Sequence, residues 1–201
     1  MGLIDKFFGK PRRIGREESS QKACSGQFMP KPKVPIEDKF LINFKENGGK
    51  FLYCTDFDEV EANFREILRE NDWTEAYCKD KKLREAFARL GIGFSDDLCA
   101  SFALISCEFL IADTGAILIS SNQIGEKKLR DLPVNLVIFA SMGQMVDTVS
   151  DGLHNINLRK QKIPSNITTI KNFSTNEHQH SHFMNYGSIS KNLYLILLED
   201  F

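Results

Sequence analysis

Residues Phe109 to Ser121 read Phe-Leu-Ile-Ala-Asp-Thr-Gly-Ala-Ile-Leu-Ile-Ser-Ser, and this stretch decides the fold class. Two short apolar runs flank Asp113-Thr114-Gly115. Each run has the length of a buried strand, and a glycine between them permits a sharp change of backbone direction. The turn sets a carboxylate, a hydroxyl and a bare backbone at one strand end. Strand ends beside tight turns are where α/β proteins place binding and chemistry. Asp113 is therefore the candidate catalytic residue, and Thr114 and Gly115 are candidate ligand-binding positions.

Working outward, helical and strand periods alternate. Phe40, Leu41 and Phe44 recur at helical spacing over 36–46, and Gly48-Gly49 stops that run before the short strand Phe51–Cys54. Thr55 or Asp56 suits the N-cap of a helix reaching Glu70, with Val60, Phe64, Ile67 and Leu68 on one face. Residues 73–78 predict a strand, 80–90 a helix closed by Gly91, and 126–132 a short helix stopped by Pro133. Leu136–Ala140 is apolar without alternation, as in a strand covered on both faces. Residues 143–158 predict a helix with Met145, Val146, Val149, Leu153 and Ile156 as its buried stripe, and 167–170 and 193–198 predict the last strands. Strands alternating with helices imply an α/β protein with an open sheet between helix layers, in three layers α/β/α.

From Lys10 to Pro35 the chain is polar, basic and broken by Pro11, Pro30, Pro32 and Pro35. Residues 1–35 therefore read as an arm and linker, and 36–201 as one α/β domain. Leu3, Ile4, Phe7 and Phe8 could form an amphipathic turn that docks on the body or on another subunit; the alternative is a frayed terminus.

The 201 residues carry a net charge of -1, with 42% hydrophobic and 26% charged residues. This balance argues against a nucleic-acid or membrane-surface partner. No run reaches the ~20 apolar residues needed to span a bilayer. The five cysteines include no Cys-x-x-Cys pair, so neither a zinc nor an iron–sulfur ligand set is legible and no cofactor is expected in this chain. An odd cysteine count without a secretory signal points to a reducing, cytoplasmic compartment. Cys54, Cys78 and Cys107 lie in or beside apolar runs and read as small buried hydrophobes. No dinucleotide fingerprint, P-loop or nucleophile elbow is present.

His178, His180 and His182 alternate in His-Gln-His-Ser-His. In an extended strand the three imidazoles would share a face and could hold Zn²⁺; the alternative is a polar surface loop. Asp-Thr-Gly also resembles the aspartic-protease tripeptide. That chemistry needs two carboxylates sharing a proton, and this chain has one copy of the tripeptide.

Read in order, the motifs resemble the LUD-domain (lactate-utilisation) family of the smaller subunit-C type. The run Cys107–Ile119 resembles the family's Ala-Glu-Thr-Gly motif between apolar strands. Leu129–Pro133 resembles its Leu-x-x-Leu-Pro element, Gln144-Met145-Val146 its Gln-Ile-Val helix start, and Leu193–Asp200 its apolar C-terminal strand. The resemblance implies a fold of the ribose-phosphate isomerase/CoA-transferase type. It also implies an accessory role in oxidising L-lactate, or a related 2-hydroxy acid, to pyruvate within a protein complex whose iron–sulfur clusters sit in a partner subunit. By the same resemblance Ser174 and Thr175 become ligand-binding candidates for a small carboxylate or phosphate. Two departures stand out. Asp113 replaces the family's Glu, and the family's Ser-Gly-Pro-Ser loop is here Lys171-Asn172-Phe173-Ser174-Thr175-Asn176-Glu177. The alternative is a non-catalytic small-anion-binding or scaffold protein on the same fold.

Overall fold

The computed structural model describes residues 34–159, 163–171, 173 and 191–199. In chain order the elements are α1 (Ile36–Glu46), β1 (Lys50–Cys54), α2 (Phe57–Glu70), β2 (Glu75–Tyr77), α3 (Lys81–Ala86), β3 (Gly93–Ser95), β4 (Phe102–Ser106), β5 (Phe109–Ile111), β6 (Ala116–Ser120), α4 (Ser121–Ile124), β7 (Asn135–Ser141), β8 (Met145–Val146), α5 (Val149–Leu158), β9 (Ile167–Ile170) and β10 (Asn192–Leu198).

The main sheet has six strands in the order β1-β10-β7-β4-β2-β3, all parallel. Its central strands are apolar on both sides because both faces are covered. On one face Phe64 and Phe87, from α2 and the end of α3, pack edge-on at 5.0 Å. With Val60, Ile67 and Leu83 they cover Phe102, Leu104, Val137 and Ile196 of the sheet. Asp56 caps α2 as its sequence suggests, accepting from the Glu59 amide at 2.8 Å.

The opposite face differs from a plain helix layer. Phe40 and Phe44 of α1 share it with Leu110, Ile117 and Ile119 of a second sheet, over Ala103, Ile105, Leu136 and Ile138. That second sheet has four strands in the order β8-β5-β6-β9. Its outer side, with Phe109, Ile111 and Leu118, is covered by Ile156 of α5. A sheet therefore lies between the main sheet and α5. The β5–β6 hairpin makes this possible because its residues are apolar on both faces.

Two helices expected from the periodicity differ in the structure, one replaced by a turn and one shortened. Residues 126–132 hold only a 3-10 turn at Leu129–Asp131, and the helix of this region comes earlier, as α4. Ser120 starts α4 by accepting from the Asn122 amide at 3.0 Å. The run 143–158 is not one helix: Met142–Gln144 form a 3-10 turn, and Met145 and Val146 pair with Leu110 and Ile111 as strand β8. Gln144-Met145-Val146 thus does not start a helix. The start falls at Thr148, which forms a reciprocal capping box with Asp151. Strand pairing with β5 outweighs the helical spacing of Met145 and Val146.

Connections leave the main sheet in opposite senses. From β2 the chain passes through α3 to β3 on the helix face, whereas from β4 it passes through the second sheet to β7 on the other face. The carboxyl ends of β2 and β4 are neighbours. Divergence of this kind opens a crevice outside the strand ends.

Candidate functional site

Ala112–Gly115 form the tight turn of the β5–β6 hairpin, closed by the Ile111–Ala116 pair. The structure keeps Asp113, Thr114 and Gly115 together and presses them under α1. Asn43 donates from Nδ2 to the Ala112 carbonyl at 2.7 Å, and Asn47 donates likewise to the Thr114 carbonyl at 2.7 Å. On the far side the Ala112 and Asp113 amides donate to Val146 and Asp147 at 2.9 and 3.0 Å. Lys39 of α1 completes the clasp with an ion pair to Asp147 at 2.6 Å.

Gly115 sits at φ +61°, and a Cβ there would run into the backbone of Asn43 and Phe44. The turn is therefore a rigid, closed element rather than the rim of an open pocket. The Asp113 carboxylate is exposed and makes no hydrogen bond among the described residues. The Thr114 hydroxyl is buried and finds no partner among the described residues. Ser174, Thr175, His178, His180 and His182 lie outside the described residues. Elsewhere, no group of three or more His, Cys, Asp and Glu among the described residues is arranged to hold a metal ion. The described cysteines do not fit an iron–sulfur cluster either: Cys54 and Cys78 lie in one core, Cys107 in another, and Cys99 on the surface.

Just before the hairpin, Glu108 carries a buried carboxylate, 4% exposed. Its Oε1 accepts from Ser120 Oγ at 2.7 Å, Asn122 Nδ2 at 2.9 Å and Gln123 Nε2 at 3.0 Å. Its Oε2 accepts from Arg159 at 2.9 Å, and that guanidinium lies over the Phe109 ring at 4.7 Å. Burial pushes the carboxyl toward protonation, but the bonds from Ser120, Gln123 and Asn122 and the Arg159 charge outweigh it, so its pKa falls below the usual value. Glu108 is thus a charge tied to β6, α4 and the end of α5. Its sequence signal is a lone acid inside an apolar run.

The open site lies at the crevice beside β2. A cavity of about 690 Å³ is lined by Tyr77, Lys79, Lys81, Arg84, Asp96 and Lys127, among others. Ile124 and Glu126, from the end of α4 and just beyond it, complete the wall. Arg84 is ion-paired to Asp96 and donates from Nε to the Cys78 carbonyl at 2.5 Å. Lys79, Lys81 and Lys127 have no ion pair or hydrogen bond among the described residues. Gly125 holds φ 68°, ψ -142°, a conformation close to glycine-only, and a Cβ there would occupy the position of the Lys79 ammonium. The lining therefore holds four cations against two carboxylates, and with Arg84 paired to Asp96 three lysines face Glu126 alone. In the sequence these cations sit in two separate segments, Lys79–Arg84 and Glu126–Lys127, and only the topology makes them neighbours.

The described part of the molecule is an α/β domain with a cationic crevice at its topological switch point and a clasped Asp-Thr-Gly hairpin beside it. Residues 94–198 match the LUD domain family, and the chain belongs to that family. The fold is similar to that of a DUF162 family protein from Deinococcus radiodurans, known from its crystal structure. The TM-score is 0.58 at 13% identity, over 82% of this chain and 96% of that one. No curated protein matches the sequence. No helix among the described residues is long and apolar enough to cross a membrane.

Proposed function

We propose that this LUD-domain protein is an accessory subunit in the oxidation of L-lactate, or a related 2-hydroxy acid, to pyruvate. In this reading the iron–sulfur clusters reside in a partner subunit. The observation that carries it is the Asp-Thr-Gly hairpin, this chain's version of the family's Glu-Thr-Gly turn, held rigid by α1 while it presents the Asp113 carboxylate to solvent. A fixed, accessible carboxylate can orient a substrate hydroxyl or dock a partner subunit. We further assign the main sheet to the ribose-phosphate isomerase/CoA-transferase type, supported by its parallel order and the crevice beside β2.

The second reading is a non-catalytic small-anion-binding protein, and the excess of lysines in the crevice favours it. Deletion of the gene separates the two. Loss of growth on L-lactate, restored by the wild-type chain and not by Asp113→Asn, supports the accessory role. Because the Asp113 side chain makes no bond among the described residues, Asp113→Asn should change unfolding stability by less than about 0.5 kcal/mol. Unimpaired growth of the deletion strain overturns the lactate role and leaves the anion-binding reading.

A further inference from the structure

We propose that the crevice beside β2 binds a phosphorylated ligand larger than lactate, of the size of a nucleoside diphosphate. This inference rests on the anion-binding reading above and names its ligand class.

Charge comes first. Lys79, Lys81 and Lys127 line one cavity with Arg84, opposed only by Asp96 and Glu126. Arg84 and Asp96 satisfy each other, so the open groups are three ammonium ions and one carboxylate. A 2-hydroxy acid brings a single negative charge and leaves half of this excess uncompensated. A phosphate group brings about -1.5 to -2 at neutral pH, and lysine ammonium ions are ordinary phosphate partners.

Size points the same way. The cavity of about 690 Å³ falls within the roughly 300–1,000 Å³ typical of sites for drug-sized ligands. Lactate, with six heavy atoms, would leave most of it to water.

A hydroxyl on the cavity wall supplies an independent observation. Tyr77 lines the cavity although it is only 3% exposed. Its hydroxyl has no hydrogen-bond partner among the described residues and is open to the cavity, where it is free to donate. A phosphate oxygen in the cavity would accept from it. Tyr77 stands at the carboxyl end of β2, the strand end that the switch point opens.

The test is calorimetric titration of the full chain with ADP and with inorganic phosphate, and in parallel with L-lactate and pyruvate. ADP should bind saturably. Lys79→Ala/Lys81→Ala/Lys127→Ala should raise its Kd at least tenfold. Tyr77→Phe should raise it about threefold to tenfold, the worth of one hydrogen bond. Glu126→Gln removes the opposing carboxylate and should tighten binding, a gain that misfolding cannot imitate. Absence of saturable ADP and phosphate binding, or binding indifferent to the three lysines, overturns the inference. Lysine-dependent binding of lactate or pyruvate alone overturns it too, while keeping the anion-binding reading. If none of the four probes binds through these lysines, both fall.

Discussion

Gly115 holds the turn in a backbone region that a β-carbon disfavours, at the point where α1 approaches closest. Both constraints act together on any substitution there, because the obstacle is the Asn43 and Phe44 backbone rather than a side chain that can swing away. Gly115→Ala should therefore lower unfolding stability by about 3 kcal/mol or more, measured by urea denaturation. Glu108 is the other residue on which the region turns. Its carboxyl is held ionised in the folded chain. A carboxylate whose folded pKa lies below its unfolded one stabilises above the unfolded value, about 4.3, and loses that contribution as pH falls through the folded value. Glu108→Gln keeps the shape, removes the charge and turns one acceptor into a donor. Stability at pH 7 should drop by about 2–4 kcal/mol. The acid-side decline of the wild type below about pH 4.5 should become shallower in the variant. Chemical denaturation at pH 7, 5 and 3.5 reads both effects, and an unchanged acid limb would remove Glu108 from the account.

Among the elements, α1 is defined by what it clasps. Its own end signals are weak: Pro35 precedes it without a side-chain cap. What fixes it is the pair Phe40 and Phe44, stacked at 5.3 Å on the core side, and Asn43 and Asn47 on the turn. Asn43→Ala strips the Ala112 carbonyl of its side-chain donor in a partly buried contact, and should cost about 1–3 kcal/mol. Hydrogen exchange should show faster opening at the Asp113 amide and in α1 than in β7 or β10, where the ladder is untouched. Equal acceleration throughout would mean that α1 is not a separately weakened unit.

The whole molecule sets thiol reactivity by burial. Cys54, Cys78 and Cys107 are buried in its two main cores. Desolvation raises all three thiols, Cys78 to about 11. Cys99 is exposed, and its thiol is raised chiefly through its hydrogen bond to Asp97. At pH 8, iodoacetamide should label Cys99 within minutes and the three buried thiols only at the rate of global opening, as resolved by peptide mass spectrometry. Early labelling of Cys107 would show that the second sheet opens independently of the first.

Much of this arrangement is legible in residue order alone. The boundaries of α1 and α2, the Asp56 cap, the Asp-Thr-Gly hairpin and the doubly apolar strand β7 follow from periodicity, capping chemistry and turn chemistry, all of which act over a few neighbouring residues. The order of motifs is legible there too, but only as a resemblance to the LUD domain. The split of 143–158 into β8 and α5 is not legible, because Met145 and Val146 satisfy a helical stripe as well as a strand. Only the presence of β5 as a pairing partner decides between them. The second sheet, the closure of the hairpin under α1 and the gathering of Lys79, Lys81, Arg84 and Lys127 around Tyr77 belong to the same kind. They depend on which distant segments become neighbours, and that is fixed by the direction in which the chain leaves β2 and β4, not by the local preferences of the residues themselves.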